Sequence, residues 1–114
     1  MPLTDVDVHA IPSDAKFVIF YAERDETGRM WCGDCRDVEQ LISDTFSPET
    51  APKAVIVYVG KKPEWKSPDS PFRHAPWHLR TIPTVARWDG SKQVARLVDA
   101  AITPNAVPQF VSSY

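Results

Sequence analysis

The residues of this sequence that are best suited to chemistry are its two cysteines, Cys32 and Cys35, which are separated by two residues. They follow an apolar run at residues 17–22 and open a segment in which apolar residues recur at helical spacing. A Cys-x-x-Cys pair after a strand and at the start of a helix is typical of reversible dithiol chemistry rather than metal binding. The sequence therefore predicts a redox-active pair at the beginning of a helix.

Cys32 is predicted to be the nucleophile, because the first turn of a helix stabilises an anion through its unpaired N–H groups and its dipole. Its attack on a disulfide would leave a mixed disulfide, which Cys35 could then attack to release the reduced product. Gly33 is expected to let a substrate approach the backbone closely. Asp34 is expected to oppose thiolate formation and to disfavour acidic substrates, since its charge lies beside the sulfurs.

The strongest structural pattern predicts a βαβ unit around the cysteines. Residues 17–22 and 54–59 are continuous apolar runs rich in β-branched and aromatic residues, as expected of strands buried on both faces. The helix between them is indicated by apolar residues at helical spacing: Val38, Leu41, Ile42 and Phe46. It would begin near Asp34, end before Pro48 and carry Cys32 in its first turn. Two strands joined in this way run parallel.

The other segments predict shorter elements. Alternation at residues 5–9 indicates a short strand, and the polar residues 23–30 are expected to form a surface loop beside the cysteines. Four prolines restrict residues 61–76, so that a short helix is expected only near residues 72–79.

The C-terminal third predicts a hairpin and a last helix. Residues 84–88 and 93–98 read as two antiparallel strands at the edge of the sheet, joined through an Asp-Gly turn. A short helix capped by Thr103 or Asn105 would end near Val111.

Length and composition limit the domain organisation and the classes of partner. The 114 residues suffice for one core, so a single α/β domain over residues 1–114 is expected, with a mixed β-sheet flanked by helices. A net charge of −2, with neither sign concentrated, gives no footprint for nucleic acid. No apolar run approaches the roughly 18 to 20 residues that cross a membrane. No signal peptide is recognisable, so a cytoplasmic location is expected.

Three motifs together give the sequence a family resemblance. They are Trp31-Cys32-Gly33-Asp34-Cys35, the stretch 59–66 with Pro68 and Phe72-Arg73 after it, and Ile82-Pro83-Thr84. With these motifs, residues 17–90 resemble the small cytosolic thioredoxin-related proteins with a Trp-Cys-x-Asp-Cys site, the thioredoxin domain-containing protein 17 family. The resemblance implies a thioredoxin fold and a disulfide reductase in which Cys32 attacks and Cys35 resolves.

The resemblance also implies the form of the site and the source of its electrons. Pro83 would follow a cis peptide bond and face the cysteines, and Ile82 would offer backbone hydrogen bonds to an extended substrate. Trp31, next to Cys32, is expected to line the substrate groove. No bound cofactor is implied, because electrons would come from NADPH through thioredoxin reductase. The substrates would be small or selected disulfides such as cystine.

The sequence departs from the family pattern within the site. Gly33 stands where the family usually has proline, which alters the rigidity of the helix start. Ile19 occupies the place of a buried aspartate of general thioredoxins. The base that activates Cys35 is therefore open, with Asp34, Glu23 and water as candidates.

A further departure is the short segment at residues 9–16, interrupted by Pro12, where this fold usually carries its first helix. The first helix is thus predicted to be shortened or missing, which would leave one face of the sheet uncovered. Since monomers rarely expose large apolar patches, a homodimer or a repacked N-terminus is expected to cover it.

Two other functions are consistent with parts of the sequence. His74 and His78 could join Cys32 and Cys35 in a metal site, although the intervening segment is much longer than in a zinc finger. The histidines are expected instead to be exposed on the short helix near residues 72–79. Alternatively, the protein could be a thioredoxin-fold adaptor whose cysteines serve only in binding or sensing.

Overall fold

The computed structural model describes residues 3–112. Its sheet has five strands: β1 (Leu3–Asp5), β2 (Phe17–Tyr21), β3 (Ala54–Tyr58), β4 (Thr84–Trp88) and β5 (Gln93–Val98). The described residues also form three α-helices: α1 (Gly33–Phe46), α2 (Lys62–Lys66) and α3 (Ala106–Ser112). Across the sheet the strands follow the order β1-β3-β2-β4-β5, with β1, β3 and β2 parallel and β4 and β5 antiparallel to their neighbours. The predicted mixed sheet flanked by helices is confirmed.

Strand β2 is the centre of the core, and each of its five residues is buried. Phe17 points to the face that carries the two longer helices, where its ring lies 5.3 Å from that of Phe46 in α1 and 5.9 Å from that of Phe110 in α3. Helix α1 ends at Phe46, two residues before Pro48, as its sequence predicts. The βαβ unit of β2, α1 and β3 therefore holds the cysteine pair at one end of the sheet.

Aromatic side chains from irregular segments cover the other face of the sheet. The ring of Phe20 lies 6.1 Å from that of Phe72 and 4.9 Å from that of Trp77, which lies 4.6 Å from Trp88. Among the described residues, Val94 at 49% exposure is the large hydrophobic residue left exposed. The prediction of an uncovered face is therefore wrong, and the reason given for a homodimer does not hold. The oligomeric state itself stays a prediction.

The N-terminal segment differs from the predicted strand at residues 5–9. Strand β1 occupies Leu3–Asp5 instead, and Val8–Ala10 form a 3-10 helix where the first full helix of this fold was expected to be shortened or missing. The side chain of Asp7 caps this turn by accepting from the backbone N–H of His9 at 2.8 Å. The alternation at residues 5–9 arises from a cap and a turn, with Val8 and Ile11 packed against the core.

The segment between β3 and β4 also differs from its prediction, because its helix lies at Lys62–Lys66 and not at residues 72–79. Pro63 lies in the first turn of the helix, where a backbone N–H would have no partner within the helix, so its missing N–H costs nothing. Glu64 Oε1 accepts from the N–H of Lys61 at 2.8 Å. Farther along, His78 has a φ of +48°, which a right-handed helix does not allow.

The hairpin and the last helix agree with their predictions. Asp89 accepts from the N–H groups of Ser91 and Lys92 at 2.9 and 2.8 Å, which fixes the turn between β4 and β5. Of the two candidate caps, Thr103 accepts from the N–H of Ala106 at 3.1 Å. Within residues 3–112, no helix combines the length and the apolar character that crossing a membrane requires.

Candidate active site

Cys32 lies immediately before α1, as its N-cap, rather than in the first turn. Its sulfur is half-buried and accepts from the backbone N–H of Cys35 at 3.4 Å, which is one of the helix N–H groups that lack a partner within the helix. The same sulfur lies 3.9 Å from the carbonyl oxygen of Ile82, to which its thiol can donate. Both cysteines are free thiols in the structure.

Cys35 lies one turn into α1 and is 0% exposed. Burial raises the pKa of its thiol far above the ordinary value, and the neighbouring Cys32 sulfur and the Asp34 carboxylate raise it further. The backbone amide of Ala22 lowers the pKa and so opposes this shift. The surroundings of Cys35 therefore favour its protonated thiol over its thiolate.

The loop before β4 brings Ile82 and Pro83 to the cysteines. The peptide bond between them is cis, and both residues are buried. The Pro83 carbonyl accepts from the N–H of Asp99 at 2.9 Å, and the Thr84 hydroxyl donates to the carbonyl of Thr81 at 2.9 Å. These bonds hold the loop from both sides, and the contact with Cys32 places Ile82 beside the sulfur of that cysteine.

Trp31 is fixed by a contact that the sequence did not predict. Its indole Nε1 donates to the carbonyl of Gly60 at 2.9 Å, and the N–H of Glu23 donates to the same oxygen at 3.2 Å. The half-buried ring borders a cleft of about 290 Å³ whose other walls are charged: Glu23, Arg24, Asp25, Glu26, Arg29, Lys61 and Lys62. Gly60, two residues after β3, thus positions the aromatic residue next to Cys32.

Gly33 and Asp34 are exposed between the cysteines. A Cβ on Gly33 would meet only the Arg36 guanidinium at 3.5 Å, an ordinary contact, so the site has room for a larger residue there. Asp34 and Asp99 line one small cleft, and the pKa of the Asp99 carboxyl is raised by burial and then by the charge of Asp34. Sequence reasoning missed Asp99, because 65 positions separate it from Asp34 and no motif marks it.

A polar cluster lies beneath α1 and was also missed. The guanidinium of Arg24 pairs with the carboxylate of Glu39, and its Nε donates to the hydroxyl of Tyr58 at 2.9 Å. Tyr21 is in register with Tyr58 on the neighbouring strand, and burial and then the charge of Glu39 raise the pKa of its hydroxyl. A tyrosine at the end of each apolar run is the sequence signal that could have indicated polar atoms here.

The histidines considered as metal ligands are both exposed, but they lie outside any helix. The Nε2 atom of His74 forms a hydrogen bond with the carbonyl oxygen of Pro68 at 2.8 Å. Within residues 3–112, no three side chains of histidine, cysteine or acidic residues are grouped so that they could hold a metal ion. His74 and His78 therefore do not join the cysteines in one site.

Comparison of the sequence with known proteins shows the family of this chain. Residues 5–111 match the family described as thioredoxin domain-containing protein 17-like, thioredoxin domain. The chain is 37% identical over 91 residues to the thioredoxin-like protein Clot of Arabidopsis thaliana, an alignment that covers 76% of this chain and 67% of the relative. It is 29% identical over 99 residues to thioredoxin domain-containing protein 17 of Mus musculus, covering 85% and 76%. The chain thus spans about two thirds of the length of its plant relative.

Solved structures show the same fold at low sequence identity. The crystal structure of a reduced thioredoxin pre-protein of Schistosoma mansoni matches with a TM-score of 0.64 at 18% identity, covering 98% of this chain and 97% of that chain. A thioredoxin mutant of Halobacterium salinarum matches with a TM-score of 0.54 at 21% identity, covering 90% and 77%. The fold is the thioredoxin fold, and the chain belongs to the thioredoxin domain-containing protein 17-like family.

Proposed function

We propose that this protein is a thiol-disulfide oxidoreductase that reduces disulfides with the dithiol of Cys32 and Cys35. Membership of the family indicates a thioredoxin-type redox function in general, and the dithiol mechanism is the proposal. The observation that supports it most is the half-buried sulfur of Cys32 at the start of α1, against the carbonyl of Ile82 and beside the cis bond to Pro83.

The reaction consists of two exchanges at sulfur. The Cys32 thiolate attacks one sulfur of the substrate disulfide, so that a bond to Cys32 forms and the other half of the substrate leaves as a thiolate. Cys35 then loses its proton and attacks the sulfur of Cys32. The bond between the two cysteines forms and the second half of the substrate leaves. Two electrons pass to the substrate, and the protein is left as a disulfide.

The groove for the substrate lies between two sides that the loops provide. On one side Ile82 and Pro83 present backbone at the level of the Cys32 sulfur, where an extended disulfide can pair with it. On the other side Trp31 presents an indole ring held by Gly60. Gly33 and Asp34 form the exposed edge between these sides, and the charge of Asp34 works against acidic substrates.

The source of electrons and the substrates are carried over from the family resemblance. Thioredoxin reductase would reduce the cysteine pair at the expense of NADPH, with no cofactor bound to this chain. The substrates would be small or selected disulfides such as cystine, and the reaction would take place in the cytoplasm, where NADPH keeps thiols reduced.

A coupled assay with NADPH, thioredoxin reductase and cystine tests the proposal. The protein is expected to consume NADPH in proportion to its concentration, and the C32S and C35S variants are expected to return the rate to that measured without the protein. Absence of NADPH consumption above that background, with protein disulfides as well as cystine, would contradict reductase function and favour the non-catalytic adaptor.

A further inference from the structure

The hydroxyl of Tyr21 is a buried polar group with no hydrogen-bond partner among the described residues. The side chain is 1% exposed, so solvent at the surface cannot satisfy it. Leaving a buried donor unpaired costs free energy, and most such groups in folded proteins find a partner. The hydroxyl therefore requires an explanation that the packing of the core does not provide.

Tyr58 offers a matched comparison on the next strand. The two tyrosines are in register in the parallel pair of β2 and β3, so their side chains lie on the same face of the sheet. The Tyr58 hydroxyl has a partner, because Arg24 donates to it at 2.9 Å, while Arg24 also pairs with Glu39. Of two phenols on one face, one is held by the polar cluster and the other is unpaired.

The unpaired hydroxyl lies on the side of the resolving cysteine. Cys35 lies one turn before Glu39 on α1, so both face the same side of the helix. Glu39 pairs with Arg24, which reaches Tyr58 on the sheet face that Tyr21 shares. The groups whose charges act on the Tyr21 hydroxyl are Glu39 and Cys35 in α1, Arg24 in the loop after β2, and Tyr58 in β3. Those that act on the Cys35 sulfur include Cys32 and Asp34.

The hydroxyl stays protonated in these surroundings. Burial raises the pKa of Tyr21 far above its ordinary value, and the charges of Glu39 and of the Cys35 sulfur raise it further. A phenol in that state can donate a hydrogen bond to a nearby anion while it keeps its proton, and it cannot act as the base itself. Ile19, two residues before Tyr21 on the same face of β2, carries no polar atom, so it supplies no carboxylate there.

We propose that Tyr21 is a positioning residue for the second exchange, in which its hydroxyl donates a hydrogen bond, directly or through one water, to the sulfur of Cys35 as the thiolate forms. This inference rests on the proposed function, because it concerns the attack of Cys35 on the mixed disulfide. The proton of Cys35 leaves to solvent or a nearby base, the hydroxyl keeps its own proton, and the bond stabilises the anion before it attacks Cys32.

The test separates the two exchanges with 5,5′-dithiobis(2-nitrobenzoate) in a stopped-flow experiment. Attack by Cys32 releases one thionitrobenzoate at a rate proportional to reagent concentration. Attack by Cys35 then releases the second at a rate independent of it. In the Y21F variant the second release is expected to slow by about tenfold at neutral pH, or about 1.4 kcal/mol, near the lower end for a hydrogen bond to a charged group.

The pH profile and the stability distinguish positioning from a structural role. The rate of the second release rises with pH, and the midpoint of this rise is expected to lie about one pH unit higher in Y21F than in the parent protein. The rates of the two proteins should therefore converge at high pH. The melting temperature should stay the same or rise, since the substitution removes an unpaired buried hydroxyl. Tyr58→Phe is the control: it removes the acceptor of Arg24, lowers the melting temperature and leaves the second release unchanged.

Three results would overturn the inference: an unchanged second release in Y21F, an equal slowing of the first release, or the same slowing in the Tyr58→Phe control. These outcomes differ from failure of the proposed function, which would appear as absent NADPH consumption with both releases of thionitrobenzoate intact.

Discussion

The two sulfurs of the site lie one helical turn apart in opposite surroundings. The mouth, formed by Trp31, Cys32, Gly33, Asp34 and Pro83, presents a half-buried sulfur at the start of α1. The floor, formed by Tyr21, Ala22 and Cys35, encloses a sulfur that is 0% exposed. Burial, rather than residue type, therefore distinguishes the two thiols: Cys32, the proposed nucleophile, is partly exposed, and Cys35, the proposed resolving thiol, is enclosed.

The largest expected contrast between mouth and floor is in alkylation. In the reduced native protein, iodoacetamide is expected to modify Cys32 at least about a hundredfold faster than Cys35, because a buried thiol reacts only after local opening of the structure. Peptide mapping by mass spectrometry at successive times measures both rates. In concentrated urea the two cysteines should react alike, and equal rates in the native protein would erase the distinction between mouth and floor.

Substitution of a buried residue of α1, the helix that carries Cys35, is expected to lower the free energy of unfolding. Ile42 in α1 is 0% exposed, so Ile42→Ala should lower the free energy of unfolding by about 2–5 kcal/mol through lost burial and the cavity it leaves. Gln40→Ala on the exposed side of the same helix is the control, with an expected change within about 0.5 kcal/mol. Urea denaturation measures both, and a loss below about 1 kcal/mol for Ile42→Ala would contradict a tightly packed floor.

Substitution of two glycines tests whether Gly60 holds Trp31 in position at the mouth. Gly60 has a φ of +93° and a Cβ there would lie 3.1 Å from Glu64 Oε1, whereas Gly28 has a φ of +86° and open space around it. Gly28→Ala should cost about 1–2 kcal/mol of stability for backbone strain alone. Gly60→Ala should cost more and should also change the fluorescence of Trp31, whose indole donates to Gly60. Equal costs, with fluorescence unchanged, would show that this contact does not position Trp31.

The smallest expected effect concerns charge at the mouth. Burial and the charge of Asp34 raise the pKa of Asp99, which means that the folded state disfavours its ionised form. Asp99→Asn should therefore raise the melting temperature slightly at neutral pH, and this gain should vanish as the pH falls and the carboxyl of the parent protein becomes protonated. Thermal unfolding at both pH values measures the gain. A gain that persists or grows in acid would contradict this origin.

The sequence predicts well where burial imposes a continuous pattern. The runs that form β2 and β3 and the apolar stripe of α1 bury side chains in the core, so that residue type follows position. The hairpin of β4 and β5 is marked instead by its Asp-Gly turn. The cysteine pair and Ile82-Pro83 were both recognisable as motifs in the sequence. In the structure the contact between Cys32 and Ile82 brings these two motifs together.

The sequence fails where single contacts define an element. Helix α2 has only five residues and depends on Pro63 and Glu64 at its start, not on periodicity. Phe72 and Trp77 belong to an irregular segment and pack against Phe20 of β2. Their spacing in the sequence resembles that of apolar residues on one face of a helix, which explains the wrong prediction. The role proposed for Tyr21 could not be predicted either, because it depends on the register of two strands and on a loop that brings in Arg24.

The central claim is that a substrate disulfide meets Cys32 and that Cys35 then resolves the product. Incubation of the C35S variant with cystine, followed by intact-mass measurement, tests it most directly. We predict a stable adduct of one half-cystine on Cys32, which dithiothreitol removes and which is absent when Cys32 is also replaced by serine. Recovery of C35S without an adduct, while the parent protein reduces cystine, would contradict the account.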